Sequence, residues 1–365
     1  MSPTGLRRHI GQLLIAGFDG PALSVEIKSL AREFGLGGVI LFARNLAEPE
    51  QIAELCFEAA RLDADLPAWV SIDQEGGRVA RLTSPFTEFP ALATIGRSGD
   101  AGLAARFGRA MALELAAVGV SLDYAPVLDV LTNPDNPVIG DRALSDQPEV
   151  VARLGAAIVR ALQDAGIAAC GKHFPGHGDT GSDSHLELPL LEHPVERLRQ
   201  VELVPFRAAI DAGVASIMTA HVFLPAIDDT RPATLSKRIV SGLLREELRF
   251  DGLVLSDDLE MKAVAAQYAV PEAAVLAVAA GCDGVLICSG DHTAHAAALE
   301  ALIHAVENEE IPLARIDNAI RRQRRAKERF LAAGVAARPP LARQLRERIG
   351  LDEYRAIAEE MGRYL

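Results

Sequence analysis

Residues 252–258 read Gly252-Leu253-Val254-Leu255-Ser256-Asp257-Asp258, a short unbroken apolar run that stops on two carboxylates. A strand with one wet face alternates apolar and polar residues. A strand covered on both faces is apolar throughout, as in parallel sheets wrapped by helices. The run Gly284-Val285-Leu286-Ile287-Cys288, one helix-length downstream, has the same character. Upstream, further candidate strands fall at 13–18, 38–42, 68–73, 121–127, 168–173 and 216–221, which with 252–257 and 284–288 makes eight. Between them apolar residues recur at helical spacing, as Leu103, Phe107, Met111, Leu115 and Val118 illustrate. Gly119, Gly166, Gly213 and Gly281 each stand between such a helix and the next strand, where a left-handed cap is expected. Eight strand–helix units are the number that closes a parallel sheet, so the predicted fold class is α/β, a (β/α)8 TIM barrel. The competing open, doubly wound sheet would ordinarily carry a G-x-G-x-x-G or Walker A loop, and neither motif is present.

The remaining chain fits one barrel with additions. Segments 294–306 and 313–333 read as helices that close it, Arg338-Pro339-Pro340 breaks the pattern, and 341–365 reads as a charged helix or helix pair. We therefore expect a catalytic barrel over 1–335 and a helical extension over 336–365, packed on the barrel wall or at an interface. A net charge of -13 without a long Lys/Arg run argues against a nucleic-acid partner. No apolar run approaches the length that spans a bilayer, and the N-terminal residues lack a three-part signal pattern. Cys56, Cys170, Cys282 and Cys288 lie far apart or inside apolar runs, as reduced, buried thiols do. A cytoplasmic protein without membrane contact is expected; oligomeric state is not legible.

In a barrel of this kind, chemistry sits at the C-terminal ends of the strands. Polar clusters fall there: Asp73-Gln74-Glu75-Gly76-Gly77-Arg78 after the third strand, Asp129 and Asn136 to Arg142 after the fourth, His221 at the end of the sixth, and Ser256-Asp257-Asp258 at the end of the seventh. Asp257, held on a rigid strand at the barrel mouth, is placed to attack an anomeric carbon. The competing role is helix capping, and with two adjacent aspartates Asp258 is expected to cap a helix over 259–268 while Asp257 works.

The segment after the fifth strand, Lys172 to His185, gathers His173, His177 and His185 with Asp179 and Asp183 among glycines that permit a lid. Asp183 lies two residues from His185, close enough to orient the imidazole and raise its basicity for acid/base work. A metal site is the competing reading. The histidines follow neither H-x-H nor H-E-x-x-H spacing, and Lys172 would set a positive charge beside the ion, so no metal or other cofactor is expected. Lys172, Arg78, Arg81 and Arg142 are cations at strand ends; they either neutralise the rim carboxylates or hydrogen-bond sugar hydroxyls and an acetamido or carboxylate group. Asp73 fits as an acceptor for two neighbouring hydroxyls.

Ile72-Asp73-Gln74-Glu75-Gly76-Gly77-Arg78-Val79, Lys172-His173-Phe174-Pro175-Gly176-His177-Gly178, Asp183-Ser184-His185 and Ser256-Asp257-Asp258-Leu259-Glu260-Met261 together resemble glycoside hydrolase family 3, in its β-N-acetylglucosaminidase branch of bacterial cell-wall recycling. The likeness runs in order from about Gly11 to about Gly290. It implies a retaining double displacement with Asp257 as nucleophile and His185, paired with Asp183, as acid/base. It implies Asp73, Arg81, Arg142, Lys172 and His173 as the residues that bind N-acetylglucosamine. The implied substrate is N-acetylglucosamine β-linked to anhydro-N-acetylmuramic acid, free or as a muropeptide. Leu144 departs from the family, which more often has an aromatic there. Two rival enzymes share these features: a phosphorylase passing the sugar to phosphate, which an uncharged histidine repels less than a carboxylate would, and a metal-dependent barrel hydrolase.

Overall fold

In a computed structural model, which describes residues 3–63, 65–184, 187–331 and 339–365, eight parallel strands close into a barrel in sequential order. They are β1 (Leu14–Ala16), β2 (Gly38–Leu41), β3 (Trp69–Ile72), β4 (Leu122–Asp123), β5 (Ala168–Phe174), β6 (Ser216–Thr219), β7 (Leu253–Asp258) and β8 (Gly284–Ile287), with β8 pairing back to β1. All eight lie within or beside the segments predicted from apolar runs. The largest difference is β4, expected over 121–127 and reduced to two residues. Pro126 has no N–H to give the ladder, so pairing lapses there and resumes as a single bridge between Val127 and Lys172.

Helices surround the strands. Gly119 ends Ala101–Val118 at φ 91°, its N–H returning to Leu115 and Ala116 carbonyls, and Gly213 precedes β6 at φ 76°. Both sit in the left-handed region that side chains resist, as expected of these caps.

Alternation along each strand divides the core. Ile15, Ile40, Trp69, Leu122, Tyr124, Cys170, Met218, Leu255 and Leu286 fill the barrel interior, and their outward neighbours join the helices. The lower mouth is stoppered by the helix Leu313–Leu331. Its Gln323 accepts from the Trp69 indole at 3.0 Å and donates to Asp283 O at 3.1 Å. With the base plugged, the open end is the C-terminal one.

The segment after Pro340 forms two helices, Ala342–Arg346 and Asp352–Gly362. Leu345 and Met361 are fully buried. Gly350 N–H donates to buried Glu114 at 2.6 Å, and Arg106 pairs with Glu360 at 2.6 Å. No described helix is long and apolar enough to cross a membrane.

Candidate active site

A cavity of about 290 Å3 opens at the C-terminal ends of the strands, with Asp73, Arg81, Arg142, Lys172, His173, Asp183 and Asp257 in its wall. Ile40, Met218, Leu286 and Cys288, side chains of the barrel interior, form its apolar floor. Seven of the eight residues singled out from the sequence thus meet in one place. The eighth, His185, lies outside the described residues.

One wall is a buried ion network. Glu75, at the end of β3, receives Arg142 through two bonds of 2.8 Å and Lys172 Nζ at 2.6 Å; Lys172 also reaches Asp73 at 2.6 Å. Burial alone would push Glu75 up, yet the Lys172 and Arg142 charges hold it well below the usual carboxylate range. By the same balance Asp73 and Glu75 lift Lys172 above the ordinary lysine value despite its burial. Asp73 Oδ2 stands 3.8 Å from Arg81, whose guanidinium lies over the Phe42 ring and whose buried Nε has no hydrogen-bond partner. A fixed, unsatisfied donor beside a carboxylate is suited to a polyhydroxylated ligand. Arg78, also in the cavity wall, is engaged by Asp141 and the Val138 and Ile139 carbonyls, bracing the loop after β4.

The histidines divide into different tasks. His173, joined to Lys172 by a cis peptide, directs Nδ1 at Asp129 (2.7 Å) and Nε2 toward Arg142 (3.4 Å). Asp129 also accepts the His177 N–H at 2.7 Å. Burial pushes His177 down to about 4, so its ring is neutral; it bonds Thr180 at 2.6 Å and Ser184 at 3.1 Å and braces the loop. Ser184 O in turn accepts from Ala263 N at 3.1 Å, tying the described end of that loop across to the segment after β7. Asp179 is committed to Thr132, His193 and Arg197 instead of the cavity. Among the described residues no three His, Cys, Asp or Glu side chains converge as a metal site would require.

At the end of β7 the paired aspartates part company. Burial raises Asp257, but the His221 and His173 imidazoles, the Asp258 N–H and Lys172 outweigh it and keep the carboxyl below its usual range. Asp258 is pushed by burial up to about 7, the Glu260 and Asp257 charges adding to the rise and two backbone N–H bonds opposing it. The expected capping role of Asp258 is corrected. Its Oδ1 accepts from Glu260 N (3.1 Å) and Cys288 N (3.2 Å), folding a tight turn that joins β7 to β8. The helix begins only at Lys262, behind Met261, which has no side-chain acceptor to cap it.

Glu75, Asp129 and His221 carry more of the site than the sequence reading assigned to them. The only available signal for each was a charged or polar residue at the end of an apolar strand or in the loop just beyond it.

A parallel barrel closed at its base and open onto a pocket of fixed carboxylates, cations and an ionised strand-end aspartate has the architecture of a carbohydrate-active hydrolase. Residues 5–326 match the glycosyl hydrolase family 3 N-terminal domain, and the chain belongs to that family of glycoside hydrolases. It is 41% identical over 293 residues to a β-hexosaminidase of Pseudomonas aeruginosa, spanning 79% of this chain and 86% of the relative. Among solved structures, a family 3 β-N-acetylglucosaminidase from Paenibacillus sp. str. FPU-7 superposes with TM-score 0.94 at 44% identity, over 98% of this chain and 68% of that one. NagZ from Neisseria gonorrhoeae, solved in complex with N-trifluoroacetyl-D-glucosamine, superposes with TM-score 0.76 at 30% identity, over 96% and 97%.

Proposed function

We propose that the chain is a retaining exo-β-N-acetylglucosaminidase that removes terminal β-linked N-acetylglucosamine by double displacement. The observation that carries this reading is the position of Asp257, held by a strand end in the wall of a pocket it shares with Asp73, Arg81 and Lys172, among neighbours that favour its charged form. A carboxylate kept charged and aimed into a pocket is the nucleophile such a reaction needs. In this reading Asp257 attacks the anomeric carbon while His185, oriented by Asp183, protonates the departing oxygen. A glycosyl–Asp257 ester forms as the glycosidic bond breaks. His185 then takes a proton from water, which opens the ester with net retention.

Asp73, Arg81, Arg142, Lys172 and His173 would hold the sugar ring and its acetamido group, with Glu75 keeping Lys172 and Arg142 in place. The pocket is small, suited to one sugar unit at the chain end. The names of the relatives support N-acetylhexosamine as that unit. The substrate we favour is N-acetylglucosamine on anhydro-N-acetylmuramic acid, with or without its peptide, cleaved in the cytoplasm during peptidoglycan recycling.

Release of 4-nitrophenol from its N-acetyl-β-D-glucosaminide by wild type and Asp257→Ala is the test. Activity that falls at least about a thousandfold in a folded variant supports the reading. An inactive wild type, or an active variant, sinks it. His185→Ala should slow a natural disaccharide far more than the aryl glycoside, because a good leaving group needs little protonation. Turnover that requires phosphate would instead indicate the phosphorylase.

A further inference from the structure

His221 follows β6, is completely buried, and does not line the cavity. Its Nε2 is 2.8 Å from the carbonyl of Asp258 and its Nδ1 is 2.8 Å from Thr234 Oγ1. A carbonyl can only accept, so Nε2 carries a proton. The proton on Nδ1 is decided by Thr234, which is also fully buried. Thr234 Oγ1 lies 2.9 Å from Ala220 O and receives the Thr219 hydroxyl at 2.9 Å. Its single proton can go to Ala220 O or to His221 Nδ1, but not to both. In the first arrangement Ala220 O is satisfied and Thr234 has a lone pair left for an N–H from Nδ1. In the second a buried carbonyl loses its hydroxyl donor, which folded proteins rarely tolerate.

We propose that His221 is held as an imidazolium, donating from both ring nitrogens, and serves as the buried counter-charge that keeps the neighbouring Asp257 ionised. It touches no substrate in this arrangement and is a positioning residue: it fixes the backbone at Asp258 and sets the charge state of the side chain beside it. The inference rests on Asp257 being the nucleophile.

Among the described residues, the titratable and charged groups at this end of the barrel are Asp257 and Asp258 on β7, His173 and Lys172 on β5, His177 and Asp183 on the following loop, and Cys282 ahead of β8. Cys282 stays a neutral thiol, burial raising it to about 12, and His177 is neutral. Among the described residues Asp257 is the carboxylate whose charge is favoured by this ring, and burial in a low-dielectric corner strengthens their attraction. The direction of the shift at Asp257 agrees with a cation there.

The test has two parts on the full-length protein. In protein labelled with nitrogen-15 at histidine, through-bond correlation identifies the His221 ring among the nine histidines of the chain. At about pH 7.5, where an ordinary imidazole is mostly neutral, both His221 nitrogens should still be protonated. A neutral tautomer at that pH overturns the proposal, and this reading needs no substrate, so it stands or falls apart from the glycosidase assignment.

The second part is the pH profile of kcat/KM on the aryl N-acetylglucosaminide. His221→Gln keeps a donor but loses the charge, and Thr234→Val removes the oxygen that receives the Nδ1 proton. Both should move the acidic limb upward by about one pH unit, a tenfold deeper loss at the acid end than at neutrality. Thr234→Ser, which retains the hydroxyl, should keep the limb at its wild-type position. A residue with a merely structural part would lower kcat without moving the limb, and that outcome would overturn the assignment.

Discussion

Two lysines are sealed into opposite ends of this barrel, 2% and 1% exposed, and they obey opposite electrostatics. Lys172, at the C-terminal mouth, lies between Asp73 and Glu75, whose charges overcome its burial and raise it. Lys327, at the base, donates to Gln12 Oε1 at 2.8 Å and Gly37 O at 2.9 Å. Those partners are neutral, and burial pushes it down to about 7. Depth is the same at both ends; only the partner's charge differs. A buried amine is held charged where carboxylates touch it, and gives up its proton far more readily where it touches only dipoles, even with the Asp63 charge pulling the other way. The charged end lines the cavity. The other end stoppers the barrel.

The largest effect is expected at Glu75. Glu75→Ala leaves Lys172 and Arg142 buried with one carboxylate fewer, and we expect a loss of about 3–5 kcal/mol in denaturant unfolding, with glycosidase activity lost as well. Near-wild-type stability would mean that the network contributes little. Lys172→Met should also remove activity, whereas Lys327→Met, far from the cavity, should leave turnover unchanged.

The same two variants sharpen the contrast through pH. Lys327 has its folded value depressed from 10.5 to about 7, so between those limits the unfolded chain binds the extra proton. Wild-type stability relative to Lys327→Met should therefore rise as pH goes from about 7 to about 10, by a few kcal/mol at most. Relative to Lys172→Met it should stay flat over that range, because a lysine raised above its unfolded value is protonated in both states. Parallel curves for the two differences would refute the distinction.

The smallest expected effect applies the rule to carboxylates. Asp258 is raised from 3.8 to about 7, so the folded state holds the extra proton between those values. Wild type should lose stability relative to Asp258→Asn as pH climbs from about 4 to about 7, measured by thermal unfolding at each pH. A flat difference would place Asp258 with its ionised neighbour.

Much of this could be read from residues in order. Apolar runs such as Leu253-Val254-Leu255, each separated by a helix and a glycine, impose a parallel barrel because a strand with two covered faces leaves little alternative. Strand-end position then singled out Asp73, Lys172, His173 and Asp257, which the structure brings into the wall of one cavity. β4 was overestimated because its residues looked extended while Pro126 could not join the ladder. Asp258 was assigned a cap because sequence proximity to a helix cannot reveal that its carboxyl turns instead to Cys288 N, thirty residues away.

The sequence by itself determined the architecture and the set of polar side chains, since periodicity and strand-end position are local properties of the chain. Only the tertiary structure decided which of those side chains are charged. Lys172 and Lys327, or Asp257 and Asp258, are identical in type and alike in burial. Their states follow from the neighbours that other strands and helices bring within a few ångströms, and Coulomb's law acts on that distance regardless of separation along the chain.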